Sequence, residues 1–181
     1  MSIFDKDFNE ILSGQILSLI GGLAAGILLA IYTDNLLLVP AMFILIPGFF
    51  ELRGNISGSL SARISSGLFL GVIKPKISNS DLLRGNIVAS FVLSILICAL
   101  LGVLAFLVEY VIFHISFPEI ILISVIAGLI ANFVTIIFSV CLTFYLFNKG
   151  HDPNNIMGSF LTTVGDIASV LSLILAMVIV A

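Results

Sequence analysis

The chain has 181 residues, of which 60% are hydrophobic and only 9% are charged, and its mean hydropathy is +1.30. A typical soluble domain carries about 25% charged residues, and a soluble protein of this length has no means of burying so much apolar surface. The composition therefore excludes a soluble globular domain and predicts a multi-pass protein of the cell membrane. The lipid bilayer is the surrounding solvent, and no nucleic-acid partner is expected. The formal net charge of −3 says little, because so few charges are present.

Five apolar runs follow one another along the chain, after a short polar segment over residues 1–13 that we expect to be cytoplasmic. About 20 residues of helix cross ~30 Å of hydrocarbon. The runs that reach this length cover residues 14–33, 36–73, 87–113, 120–147 and 156–181. We therefore predict an all-α transmembrane helical bundle of five helices, with residues 14–181 as one membrane domain.

The second run is long enough to be one broken helix or two full spans, and the basic residues decide between these alternatives. With one span and a cytoplasmic N-terminus, five basic residues lie on the cytoplasmic side and none lies in the outer loops. These residues are Lys6, Lys74, Lys76, Arg84 and Lys149. Because cytoplasmic loops are enriched in Lys and Arg, this favours an N-in, C-out topology. Pro47-Gly48 predicts that the second helix is broken or kinked there, and Pro40 is a further candidate for a kink.

Asp166 is the clearest functional candidate, because it is the only charged residue of the last run. Ionisable groups inside a bilayer are costly unless they are paired or hydrated, so they indicate function by default. Helical spacing places Thr162, Thr163 and Ser159 on or near the same face. A carboxylate flanked by hydroxyls is an oxygen-rich stripe of the kind that hard cations prefer. The alternative is a structural ion pair between Asp166 and Arg53 or Arg63.

A second source of oxygen ligands is the stretch from Glu51 to Asn55. Glu51 and Asn55 are four residues apart and share a helix face, and Gly54 allows close approach of the backbone. Two interpretations of Glu51 stay open, a metal ligand or a local ion pair with Arg53. For Arg63, snorkelling to the cytoplasmic headgroups is favoured over a place in the pore.

Polar and small residues elsewhere in the runs are expected to have structural roles. Asn132 is expected to join neighbouring helices, and Glu109 to lie at the outer membrane interface. Gly22 and Gly26 form a GxxxG pair, which packs the first helix either within the chain or at a dimer seam. No phosphate-binding loop, nucleophile elbow or HExxH motif is present. The chain is therefore not expected to be an enzyme or to need a cofactor.

Two motifs resemble those of the MgtE-type magnesium transporters and their eukaryotic solute-carrier relatives. The first is Pro-Gly-Phe-Phe-Glu-Leu-Arg-Gly-Asn at 47–55, followed by Ser-Ala-Arg-Ile-Ser at 61–65. The second is Asp-Pro-Asn-Asn-Ile at 152–156, followed by Thr-Thr-Val-Gly-Asp at 162–166. The resemblance implies a homodimeric transporter or channel domain, with Mg²⁺ as substrate. It also implies that Asp166 binds the ion in the pore and that Gly54 and Asn55 line the same path.

The sequence thus favours a divalent-cation transporter or channel, most of all for Mg²⁺, with an intramembrane site made of oxygen ligands. The candidate metal ligands are Asp166, Asn55, Thr163, Thr162, Glu51 and Gly54. One deep carboxylate per chain is too few for an ion that takes six oxygens, so a homodimer is expected. A proton- or Na⁺-coupled carrier and a non-transporting membrane subunit are the alternatives.

Overall fold

The structure is a computed structural model that describes residues 6–37, 39–76 and 80–180. Residues 1–5 of the expected N-terminal segment, and residue 181 of the fifth run, lie outside the described residues. Within the described part, the protein is all-α, as predicted. Its helices are α1 (Lys6–Ile31), α2 (Thr33–Leu37), α3 (Ala41–Phe69), α4 (Asp81–Val108), α5 (Glu119–Asn148) and α6 (Pro153–Val180).

Five of these helices are long, and four of the long ones are both long enough and apolar enough to cross a membrane. These four are α1, α4 with its π-helical extension Glu109–Phe113, α5 and α6. The fifth is α3, whose 29 residues extend about 43 Å at 1.5 Å per residue. It carries Glu51, Arg53 and Arg63, which make it less apolar than the others. It contacts α4, α5 and α6.

The second apolar run is divided, but not at Pro47-Gly48, where the sequence predicts the break. The helix α3 continues without interruption through Pro47 and Gly48, so the predicted break at this site is wrong. A bend of the axis at Pro47 stays a prediction. The division lies instead at Pro40, which is the residue before α3. A proline at the start of a helix removes no intrahelical hydrogen bond, so Pro40 begins a helix rather than bending one.

The first helix packs mainly on the last, through small residues that allow close approach. A Cβ atom at Gly21 would overlap the side chain of Thr163, and a Cβ atom at Gly14 would contact Ser159. Ala25 is also buried. The GxxxG pair plays no part in this contact, since a Cβ atom at Gly22 or Gly26 would meet no described residue within 4 Å beyond the local backbone of α1. The prediction that this pair packs α1 within the chain is therefore wrong, and the dimer seam stays a prediction.

Buried polar side chains join the other helices. Asn132 is fully buried, and its Nδ2 donates to the Ser90 carbonyl at 3.2 Å, which confirms that it links α5 to α4. Glu109 is also fully buried within the protein, so its side chain does not face lipid headgroups, and its depth in the membrane stays a prediction. Its Oε1 accepts a hydrogen bond from the Ala41 amide at 3.2 Å. Glu109 therefore satisfies an amide in the first turn of α3, which no intrahelical carbonyl reaches.

The basic residues collect at one end of the bundle. Lys6 Nζ donates to the Gly150 carbonyl at 2.6 Å, and the rings of Phe69 and Phe147 lie 5.2 Å apart. The start of α1, the end of α3 and the α5–α6 loop are therefore neighbours. We call this side of the bundle the basic end, because six of the seven Lys and Arg residues belong to it. They are Lys6, Arg63, Lys74, Lys76, Arg84 and Lys149.

Candidate functional site

Most of the predicted metal ligands lie in a groove between the middle parts of α3 and α6. Its volume is about 460 Å³. The lining residues are Phe50, Glu51, Gly54, Asn55, Gly58, Gly158, Thr162 and Asp166. We call it the central groove. Five of the six predicted ligands lie on its wall, although they come from segments more than 100 residues apart.

Asp166 occupies the α6 side of the central groove, halfway along this 28-residue helix. Its side chain is half-buried, and Thr162 lies one turn before it on the same wall. The Thr162 hydroxyl donates to the Gly158 carbonyl at 3.0 Å, which leaves the lone pairs of its oxygen free toward the groove. A carboxylate and a hydroxyl oxygen thus face the same space.

The α3 wall adds a second carboxylate and an amide. Asn55 Nδ2 donates to Glu51 Oε1 at 3.1 Å, and both side chains are exposed in the groove. This bond orients the Asn55 carbonyl oxygen away from Glu51, so that the two side chains offer separate acceptors. Gly54 lies between them on the wall, and a Cβ atom there would meet no atom within 4 Å. Packing therefore does not require a glycine at position 54, although the absence of a side chain there leaves more space in the groove.

Thr163 is the predicted ligand that the structure does not bring into the central groove. It lies on the other face of α6, against Gly21 of α1, and only 8% of its surface is exposed. Its hydroxyl donates to the Ser159 carbonyl at 3.1 Å, and the Leu17 carbonyl lies 3.5 Å away. Positions three and four residues before Asp166 are both close to its helix face, but here only the latter is in the groove.

Arg53 turns away from Glu51 and toward α6. Its Nε donates to Ser169 Oγ at 2.6 Å, and the side chain is buried. Within the part of the chain that the structure describes, no ion pair within 4.0 Å joins Glu51 or Asp166 to an arginine. The two alternatives in which these carboxylates serve as structural ion-pair partners are therefore not observed.

A second polar groove, which the sequence reasoning missed, continues from the central groove toward the basic end. Its volume is about 540 Å³. It is lined by Ile11, Gln15, Ser18, Asn154, Asn155, Gly158, Ser159 and Thr162. Gly158 and Thr162 belong to both grooves, so one polar surface runs along α6 from the α5–α6 loop to Asp166. The available signal was the pair of polar residues in the first apolar run, Gln15 and Ser18.

Hydrogen bonds and ion pairs at the basic end hold together the side chains where this polar surface begins. Glu10 accepts from Asn155 Nδ2 at 3.1 Å, and its other oxygen lies 2.7 Å from His151 Nδ1. Lys6 lies 3.6 Å from the same carboxylate. These contacts hold the start of α1 against the loop that precedes α6. Among the described residues, no group of three His, Cys, Asp or Glu side chains within one chain is arranged to hold a metal ion.

A comparison with protein families identifies the family of the chain. A family model described as MgtE, divalent cation transporter, matches residues 46–176. The chain belongs to this family. The MgtE match includes both walls of the central groove and covers most of α3 and α6. MgtE is a family of transporters rather than of enzymes, so divalent-cation transport is the function that membership supports. No curated protein and no solved structure matches the chain significantly.

Proposed function

We propose that the protein transports Mg²⁺ and that the ion binds in the central groove inside the membrane. The observation that carries this proposal is the convergence of Glu51, Asn55, Thr162 and Asp166 on one groove of about 460 Å³. Carboxylate, amide and hydroxyl oxygens are the ligands that hard cations prefer. Mg²⁺ keeps several waters and takes only one or two carboxylates directly, and the groove has room for a partly hydrated ion.

A homodimer completes the site. In a single chain the side chains of Glu51, Asn55 and Thr162 are exposed, and halfway through a bilayer such exposure to lipid is unfavourable. A second copy facing the first across a two-fold axis encloses the two grooves in one water-filled pore. The pore then contains two Asp166 carboxylates, which together match the charge of one divalent ion. Two-fold dimers are the commonest closed assembly.

The ion path leads from the basic end to the central groove. We infer that the basic end is cytoplasmic, because Lys and Arg are enriched on that side of membrane proteins. This corresponds to an N-in, C-out topology in the cell membrane, with α3 as the fifth spanning helix. The groove lined by Asn154, Asn155 and Ser159 is then the cytoplasmic mouth. Its amide and hydroxyl groups hydrate an entering or leaving ion without holding it by charge.

The test is ion flux into proteoliposomes, measured with a panel of divalent cations on purified wild-type and variant proteins. Asp166→Asn keeps the size of the side chain but removes its charge. Even the loss of a residue that only hydrogen-bonds a metal ligand typically lowers metal affinity or activity by about 10- to 100-fold. The loss of the charge of a ligand itself should therefore reduce Mg²⁺ flux per folded protein at least about tenfold. Glu51→Gln should have a smaller effect, because this carboxylate is more exposed.

Asp34→Asn is the matched control, since it makes the same chemical change on the short helix α2. It should transport Mg²⁺ at the wild-type rate. Wild-type flux from Asp166→Asn would remove Asp166 from the ion path. Transport driven by a pH or Na⁺ gradient in the absence of divalent ions would contradict the proposal as a whole and favour the coupled carrier.

A further inference from the structure

Arg53 is the one basic residue that lies away from the basic end, and it is near the middle of the 29-residue helix α3. Only 4% of its surface is exposed. It is preceded by Glu51 and followed by Gly54 and Asn55, all of which line the central groove. A permanently charged side chain is therefore buried directly behind the α3 wall of the proposed ion site.

The guanidinium of Arg53 packs closely against α6. Ser169 Oγ accepts from Arg53 Nε at 2.6 Å and donates to the Gly165 carbonyl at 2.9 Å. The guanidinium lies against Gly165, where a Cβ atom would be 2.5 Å from Nη2 and 3.0 Å from Nη1. Any side chain at position 165 would displace the charge. Gly165 immediately precedes Asp166, and the Arg53 cation is near enough to the Asp166 carboxylate for their charges to interact.

The charge of Arg53 is only partly compensated. Nη1 is buried and has no hydrogen-bond partner within the described part of the chain. No carboxylate of the described residues lies within 4.0 Å of the guanidinium, although its charge and that of Asp166 act on each other. A buried charge without a close partner is costly, so packing alone does not account for an arginine at this position.

We propose that Arg53 is the fixed counter-charge of the ion site, which weakens the binding of the cation so that it can leave. This inference rests on the proposed function of the central groove. A divalent cation held by several carboxylates inside the membrane is attracted more strongly than in bulk water, and without an opposing charge it binds too tightly to be released quickly. Conduction requires binding that is strong enough to admit the ion and weak enough to let it go. Arg53 supplies the opposing charge without occupying the groove.

This role predicts a dependence on ionic charge. Coulomb energy is proportional to the charge of the ion, so Arg53 repels a divalent ion twice as strongly as a monovalent one. Neutralising Arg53 should therefore change the logarithm of the affinity for Mg²⁺ about twice as much as that for Na⁺. A residue that only supports the packing of α3 on α6 would alter both affinities in the same proportion.

The experiment compares Arg53→Gln with wild type in proteoliposomes and measures Mg²⁺ flux as a function of Mg²⁺ concentration. The half-saturating concentration should fall at least about tenfold, and the maximal rate should fall as well because release is slower. Competition by Na⁺ should become stronger by only about threefold, the square root of the first factor. Arg63→Gln is the matched control, because it makes the same charge change on the same helix but outside the central groove. It should leave the half-saturating concentration unchanged.

Each outcome separates this inference from the proposal on which it rests. If the wild type carries no divalent ion, the proposed function fails. If the wild type carries Mg²⁺ and folded Arg53→Gln has the wild-type half-saturating concentration, the function stands and the counter-charge role is refuted. If Arg53→Gln does not fold, Arg53→Met fills the same space without charge, and apolar replacements of buried ions are often tolerated. The same criterion then applies to Arg53→Met.

Discussion

Gly21 and Gly22 are adjacent in α1, and the structure predicts opposite effects of the same substitution. At Gly21 a Cβ atom would overlap the Cγ2 atom of Thr163, and it would lie 2.8 Å from its Cβ and 3.0 Å from its Oγ1. Carbon atoms in good contact are separated by about 3.5–4.0 Å, so α1 would have to move away from α6 by about 1 Å. At Gly22 a Cβ atom would meet no atom within 4 Å.

The magnitudes follow from two opposing contributions. Replacing glycine by alanine inside a helix stabilises it by about 1 kcal/mol, and this contribution is the same at both positions. Overpacking typically costs about 1–3 kcal/mol, and it applies only at Gly21. Gly22→Ala should therefore be neutral or stabilising. Gly21→Ala should be less stable than Gly22→Ala by about 1–3 kcal/mol.

The assay is reversible unfolding in mixed micelles, in which the free energy of unfolding is obtained from the loss of helical structure as SDS is added. Combining Gly21→Ala with Thr163→Ala should recover part of the lost stability. Thr163→Ala removes Cγ2 and Oγ1 but leaves the Thr163 Cβ atom, which is 2.8 Å from a Cβ atom at position 21, so the recovery should be incomplete. Equal unfolding free energies for Gly21→Ala and Gly22→Ala would refute the close contact between α1 and α6.

Two further predictions concern stability and topology. Glu109→Ala leaves the buried Ala41 amide of α3 without its acceptor. It should lower the free energy of unfolding by about 1–3 kcal/mol, as measured by the same SDS titration. Wild-type stability would show that this amide finds another acceptor. Single cysteines introduced at Lys149 and at Asp34, in a background without native cysteines, should react with an impermeant reagent from the cytoplasmic and the outer side, respectively. Labelling of both from the same side would contradict the N-in, C-out topology.

The helices could be predicted from the sequence because hydropathy and charge are properties of the chain itself. Each of the five long helices overlaps one apolar run. The boundaries agree to within a few residues for α5 and α6, whereas α1 begins eight residues and α4 six residues before the predicted run. The sequence places the interruption at Pro47, since proline inside a helix removes a hydrogen bond. The helix α3 continues through Pro47, and the division lies at Pro40. The Ala41 amide that follows Pro40 is satisfied by Glu109, which lies 68 residues further along the chain.

The site could be predicted only in part, because the sequence gives the spacing of residues along a helix but not the neighbouring helix. Thr162 and Thr163 are equally good candidates by spacing from Asp166. The presence of α1 on one side of α6 decides that Thr163 is packed against Gly21 and that Thr162 lines the groove. In the same way, the Arg53 side chain is positioned by a hydrogen bond to Ser169, which lies 116 residues further along the chain.

The contact between α1 and α6 also constrains how the protein is made. Residues 32–152 separate the two helices, so α1 is synthesised and inserted long before α6, the helix on which it chiefly packs, is available. During this interval its small-residue face, which includes Gly14 and Gly21, is open to lipid and to other proteins. Assembly of the bundle is therefore completed by α6, the helix that also carries Asp166. A chain that stops before α6 therefore leaves the small-residue face of α1 without its partner helix.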